Sequence, residues 1–296
     1  MASATGRPAP SERRRSAPRR TLFVLVVCLS GCGRESQRSP APARSAPVPR
    51  LVGGINTWTG SLCLTFDRGR VACSGQLAIP SQELEAPHAL TEIVGLPRVR
   101  SVSLSQLARQ ACALDLDGEA WCWGDNRGGA LGRGSVGPSE AAPTAFLPPA
   151  RVRGVPEVIA IEGATDAFCA LTADGGVLCW GSNVDGVAWP GGSAADVPTP
   201  RRVDGVPAVV GIQAGQAQMC GRSAAGAIWC WGDLGRGDDR GPRRVVATGA
   251  RRFVPQPFPG SVCFVAGDGD GAQRCVSELG ADSIPGDRAG SRRGSP

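Results

Sequence analysis

The stretch Cys112-Ala-Leu-Asp-Leu-Asp-Gly118-Glu-Ala-Trp-Cys122 sets two cysteines ten positions apart around a glycine. Folded back so that Cys112 faces Cys122, it places Ala113 opposite Trp121, Leu114 opposite Ala120 and Asp115 opposite Glu119. A three-residue loop remains, Leu116-Asp117-Gly118. Such loops commonly end a type I turn on a left-handed residue, a conformation glycine takes without steric cost. Directly opposed residues of antiparallel strands stand about 4.5–5.5 Å apart at Cα, within reach of a disulfide. The stretch therefore predicts a disulfide-closed β-hairpin, and closing such a loop adds about 2–3 kcal/mol in the chain-entropy model.

The same arithmetic recurs along the chain. Of the 12 cysteines, ten form five couples: Cys63 and Cys73, Cys112 and Cys122, Cys169 and Cys179, Cys220 and Cys230, and Cys263 and Cys275. Gly69, Gly175 and Gly226 take the third loop position of the other regular couples, and Gly271 precedes Cys275 as Gly118 precedes Cys122. The last couple is two residues wider, which lengthens its Gly267–Gly271 loop. An even set in an exported chain implies disulfides. Zinc ligands are usually separated by two to four residues, and no couple here fits. Asp268-Gly-Asp270-Gly resembles a calcium loop but lacks the downstream Glu, and it is already accounted for as a hairpin loop. No metal and no cofactor are expected.

Strand side chains alternate between faces. In the third couple Cys169, Leu171, Val177 and Cys179 share one face, and Phe168, Ala170, Leu178 and Trp180 the other. Both faces are apolar, so each sheet is covered on both sides, as a propeller blade is. The first cysteines of successive couples are 49, 57, 51 and 43 residues apart, a period near that of propeller blades. A shared approach precedes the hairpins: Val152-Arg-Gly154-Val-Pro156-Glu-Val158 is repeated as Val203-Asp-Gly205-Val-Pro207-Ala-Val209, and more weakly as Ile93-Val-Gly95-Leu-Pro97-Arg-Val99. Each unit reads as a first strand, a hairpin and a trailing loop. With 42 Gly and 25 Pro, the composition agrees with many tight turns between short strands.

Cys112-Ala-Leu-x-x-Asp-Gly118-x-x-x-Cys122-Trp-Gly-Asp-Asn126, continued by Gly128, Leu131, Gly132 and Gly134, is similar to the repeat of the regulator-of-chromosome-condensation (RCC1-like) family. So is Cys169-Ala-Leu-x-x-Asp174-Gly175-x-x-x-Cys179-Trp-Gly-Ser-Asn183-x-x-Gly186. Cys220 to Gly235 is a weaker copy without the Asn. The resemblance covers about residues 51–276, and its Cys-stapled form resembles exported bacterial proteins. It implies an all-β β-propeller. The family usually closes with seven blades, and five units are counted here. A five-bladed ring, an incomplete propeller that needs a partner, and a decayed gene all remain open. The strand around Leu51–Trp58 is expected to complete the last blade, as such rings latch.

The N-terminal segment reads differently. Arg13, Arg14, Arg15, Arg19 and Arg20 precede an apolar run, Leu22–Leu29, then Leu29-Ser30-Gly31-Cys32. A positive region, a short apolar core and small residues before a Cys describe a secretion signal over residues 1–31. Leu-Ser-Gly-Cys resembles the lipobox of bacterial lipoproteins, which makes Cys32 the lipidation site and the membrane contact. Localisation is then the bacterial cell envelope, in the outer membrane or at the surface. Residues 32–50 and 281–296 read as disordered tether and tail, because Gly, Ser, Pro and Arg bury too little surface to offset ordering entropy. The propeller domain spans 51–280. The net charge of +6 arises in the leader: residues 1–50 carry ten Arg and two Glu. The rest is near neutral, which argues against a nucleic-acid partner.

These readings give a non-catalytic scaffold of the cell envelope that presents propeller loops, such as 126–150 and 182–200, to a protein or glycan. Trp123, Trp180 and Trp231 recur after the second Cys and read as core. Trp189 lies in an off-pattern insert, and Asn126, Asn183, Asp185 and Trp189 are the candidate contact residues. An exported enzyme inhibitor is a second reading, since a bacterial β-lactamase-inhibiting protein shares the repeat type. A propeller lyase using His88 as its base is a third.

Overall fold

Each cysteine couple occupies directly opposed positions of two antiparallel strands, and all five disulfides are formed. The computed structural model describes residues 51–56, 61–77, 90–137, 146–235, 238–246, 248–255, 260–267 and 273–276. The Cα atoms of each pair lie 4.0–4.1 Å apart, the narrow spacing of a non-hydrogen-bonded pair. The predicted register holds: Ala113 opposes Trp121, Leu114 opposes Ala120, and the Asp115 N–H donates to the Glu119 carbonyl at 3.0 Å. Gly118, Gly175 and Gly226 carry φ of 81–82° at the loop ends, which is why glycine recurs there.

Five antiparallel sheets follow one another along the chain. The first contains β1 (Leu51–Asn56), β2 (Leu62–Phe66), β3 (Val71–Ser74) and β4 (Thr91–Glu92). The second contains β5 (Val99–Leu104), β6 (Gln110–Asp115), β7 (Ala120–Gly124) and β8 (Leu147–Arg151). The third contains β9 (Val158–Gly163), β10 (Ala167–Thr172), β11 (Val177–Ser182) and β12 (Asp196–Arg202). The fourth contains β13 (Gly211–Ala214), β14 (Gln218–Arg222), β15 (Ile228–Gly232) and β16 (Arg243–Val246). The fifth contains β17 (Ala250–Pro255), β18 (Val262–Ala266) and β19 (Gln273–Val276). Among the described residues no helix is long and apolar enough to cross a membrane.

Two expectations need correction. The strand at Leu51 does not complete the last blade: β1 pairs with β2 in its own sheet, Ile55 opposite Cys63. The short connection between the two runs favours that local pairing over a long-range latch. The ranges 126–150 and 182–200 are also not wholly loop. Their last residues belong to the outer strands β8 and β12, which carry Pro148, Pro149, Pro198 and Pro200. Proline lacks the N–H that an inner strand must donate, but an edge strand tolerates it. Proline-rich sequence thus concealed the fourth strand of the second and third units.

The core lies between sheets. One face of each of the first four hairpins carries the disulfide and packs on the following sheet; in the second, third and fourth hairpins the other face carries the tryptophan and packs on the preceding sheet. Cys63, Val71 and Cys73 meet Trp123 and Ala111. Cys112, Leu114 and Cys122 meet Phe168 and Trp180. Cys169, Leu171 and Cys179 meet Met219 and Trp231. Cys220, Ile228 and Cys230 meet Phe253 and Val262. The three tryptophans are fully buried, as expected. Successive inner strands adjoin, β1 on β5, β5 on β9, β9 on β13 and β13 on β17, and no comparable packing joins the described strands of the fifth sheet to the first.

Replacing Trp180 with Ala empties the centre of one such interface. The expected cost is about 3–5 kcal/mol, read as a shift in the urea unfolding midpoint. A loss below about 1 kcal/mol would show that the sheets do not depend on this contact.

Candidate functional site

The loops that leave β7 and β11 are built by their asparagines. Asn126 accepts the Leu131 N–H on its Oδ1 at 3.1 Å and donates its Nδ2 to the Ser135 carbonyl at 2.9 Å. Asn183 accepts the Trp189 N–H at 2.7 Å and donates to the carbonyls of Trp189 and Ala194 at 3.2 and 3.0 Å. Both side chains are buried, so their polar atoms are spent inside the loops. The loops in turn lie on the next sheet. Trp180 Nε1 donates back to the Ala130 carbonyl at 2.9 Å, and Trp231 Nε1 to the Val187 carbonyl at 3.2 Å. The Gly134 N–H reaches the Pro198 carbonyl at 2.8 Å. At Gly129 the backbone approaches so closely that an added Cβ would stand 2.5 Å from the Pro198 Cα. The Asn-x-x-Gly pattern is therefore a clasp between sheets, and its glycines permit the close approach.

What the 183–195 loop leaves outward is different. Val184 is 68% exposed, and Asp185 is half-buried beside Thr165 and Arg240. Trp189 is half-buried, packed on the third-to-fourth sheet core and across Gly192, with the Arg201 guanidinium 4.0 Å from its ring centre. That distance is within cation–π range. Arg201 stands on β12, so a rigid outer strand positions it. Between the Thr165–Asp166 turn and the Ser182–Val187 segment lies a shallow cavity of about 200 Å³ with the two carboxylates Asp166 and Asp185 on its wall. Burial raises the pKa of both; the Gln110 amide opposes this at Asp166 and the Arg240 charge at Asp185. Among the described residues no three His, Cys, Asp or Glu side chains gather to hold a metal. Cys32, His88, Asp268 and Asp270 lie outside the described residues.

Sequence reading placed an inner strand in each unit but missed Val184, Arg201 and the polar stitches that the inner strands carry. At the position opposite the first Cys, Ser103 Oγ accepts the Gly163 N–H of the next sheet at 2.9 Å. One sheet on, Glu162 accepts the Ala214 N–H. Gln213 repeats the position, but the corresponding residue of the fifth sheet is Pro255, which has no N–H. The Gln213 Oε1 is accordingly buried without a partner. Only a lone acid in an otherwise apolar approach segment signals this at sequence level.

Burial pushes the Glu162 carboxyl up to about 7, against the partial relief of the Ala214 N–H. A raised acid favours the protonated form in the folded state. Its contribution to stability is therefore greatest below pH 4.5, falls as pH rises toward 7 and is level above. The variant Glu162→Gln keeps the acceptor and removes the titration. It is expected to match the wild type near pH 4.5 and to exceed it at pH 8 by on the order of 3 kcal/mol in urea unfolding. Parallel curves for the two proteins from pH 4.5 to 8 would refute the buried-acid assignment.

Residues 165–187, from the β9–β10 turn through the third hairpin into the Asn183 loop, match the family model of the regulator of chromosome condensation (RCC1) repeat. The chain is 27% identical over 229 residues to the E3 ubiquitin-protein ligase HERC2 of Homo sapiens, covering 72% of this chain and 5% of HERC2. It is 29% identical over 124 residues to Protein RCC2 of Homo sapiens, covering 41% of this chain and 22% of RCC2. Human WBSCR16 superposes with a TM-score of 0.56 at 18% identity, covering 70% of this chain and 56% of that one. Prp20p from Saccharomyces cerevisiae gives 0.56 at 19%, covering 70% and 54%. The chain thus spans a small part of these curated relatives and about half of the solved structures, which at such identity establish the fold alone. Repeat, register and fold agree: residues 165–187 carry an RCC1 repeat, set in a β-propeller fold of five described sheets that resembles those of RCC1-like proteins.

Proposed function

We propose that this chain is a non-catalytic binding scaffold of the bacterial cell envelope, tethered through a lipid on Cys32, that offers the rim of its third sheet to a protein partner. The observation that carries the reading is the Trp189–Arg201 pair. A half-buried aromatic ring and an exposed guanidinium, one from the loop that carries exposed Val184 and one from an outer strand, lie against each other. Trp and Arg are the residues that most often dominate binding energy, and a preset pair loses little entropy on association. Asn183 supports the reading by holding the 183–195 loop in one conformation before any partner arrives. Similar folds lend it precedent: solved structures concern the binding properties of Prp20p to Gsp1p and histones, and Kap60 bound to yeast RCC1 (Prp20). Five disulfides support an oxidising compartment, as export requires. The near-neutral globular part favours a protein over a nucleic acid.

Cross-linking in intact envelopes, followed by affinity measurement with the captured protein, tests the surface. Trp189→Ala and Arg201→Glu are each expected to weaken binding by about 2 kcal/mol or more, whereas His88→Ala leaves it unchanged. Equal affinity of all three variants would reject this rim as the contact surface, and loss of an enzymatic activity in His88→Ala alone would favour the lyase reading. Captured partners whose turnover falls on binding would make the scaffold an inhibitor.

Cys32→Ala tests the tether separately. The wild type is expected in the detergent-soluble membrane fraction and the variant in the aqueous fraction after phase separation. Retention of the variant in the membrane fraction would refute Cys32 as the anchor.

A further inference from the structure

Four of the five disulfides are sealed by the sheet that follows them. Cys63, Cys73, Cys112, Cys122, Cys169, Cys179, Cys220 and Cys230 are all 0–1% exposed. The fifth differs. Cys263 is 5% exposed, but Cys275 is open to solvent. It sits on β19, a four-residue strand at the edge of a three-stranded sheet, beside the exposed Gln273 and Arg274. Val254, which opposes Cys263 across β17 and β18, is 55% exposed on the same face. Among the described residues no further sheet covers this face.

Thiol–disulfide exchange requires a thiolate to reach one of the two sulfurs, so access selects among bonds of like chemistry. We propose that Cys263–Cys275 is a site of thiol–disulfide exchange in the folded protein, open to dithiols while the other four disulfides stay closed. The thiolate of a dithiol attacks the Cys275 Sγ. The Sγ–Sγ bond breaks, and Cys263 departs as a thiolate that takes up a proton. A mixed disulfide joins the dithiol to Cys275. The second thiol of the dithiol, deprotonated, then attacks its own first sulfur and releases Cys275 as a thiolate, which is protonated in turn. Two electrons pass from the dithiol, which is oxidised to a cyclic disulfide, to the protein. Afterwards β19 keeps its ladder to β18, where Val262 pairs with Val276 and Phe264 with Arg274, and the packing of Val276 on the core.

The test uses the native protein, with any free thiol blocked beforehand by N-ethylmaleimide. Graded dithiothreitol is applied without denaturant, new thiols are trapped with iodoacetamide, and peptides are mapped by mass. Cys263 and Cys275 are expected to label about tenfold or more faster than the other eight, at a rate proportional to dithiothreitol. Tryptophan emission should stay constant meanwhile, since all 7 Trp lie outside residues 250–276. The double variant Cys263→Ser/Cys275→Ser should lose the fast phase entirely. Simultaneous labelling of all ten, earlier labelling elsewhere, a rate independent of dithiothreitol, or a fast phase surviving in the double variant would each overturn the proposal.

Discussion

The contact on which the whole array depends is the one between a disulfide and the tryptophan that follows it in the next sheet. Each hairpin is a thin slab with no core of its own. The cystine face of each of the first three is flat and apolar, and the indole of the following unit lies over it with Leu, Val and Ala completing the layer. The covalent bridge fixes two strands at their narrowest spacing, so that the slab presents a preformed surface rather than one that must be ordered by packing. The indole N–H does not go unsatisfied at the third and fourth sheets: it donates back to a carbonyl of the preceding unit's loop. One side chain thus joins the apolar interface to the polar clasp above it.

This division of labour explains what the sequence disclosed and what it hid. Hairpin register was legible because a cysteine couple and a positive-φ glycine both mark the same turn, and two independent marks at fixed spacing leave no room for a one-residue slip. Burial of both faces was legible in Phe168, Ala170, Leu171 and Val177, apolar without alternation. The outer strands were not, since Pro148, Pro149, Pro198 and Pro200 read as loop until a neighbouring strand is present to use their carbonyls. The pairing of β1 was misassigned because nothing in Leu51–Asn56 distinguishes a partner nearby from one at the far end of the chain. The stitches made by Ser103 and Glu162 left only the lone acid as a sign, because their partners are backbone N–H groups in another unit, and backbone leaves no trace in composition.

The candidate surface shows the same logic. Asn126 and Asn183 drew attention as polar residues in surface loops, yet their amides face inward and organise backbone. The residues that remain outward, Val184, Trp189 and Arg201, belong to the insert or the outer strand, where the repeat imposes least. In a repeat protein the positions shared between units are taken up by holding the units together, and individuality is left to those that are not shared.

The unpartnered Gln213 oxygen has a consequence for how such a stack comes apart. Linear arrays are only as cooperative as their junctions, and a domain of this kind separates where neighbouring modules grip each other least. Between the fourth and fifth modules the proline at 255 withdraws the amide that Gly163 and Ala214 supply at the equivalent seams. The buried acceptor left behind weakens that seam further. Across that seam the Gln218 amide accepts the Gly260 N–H and donates to the Ser261 carbonyl, so the terminal module peels away where this one side chain lets go.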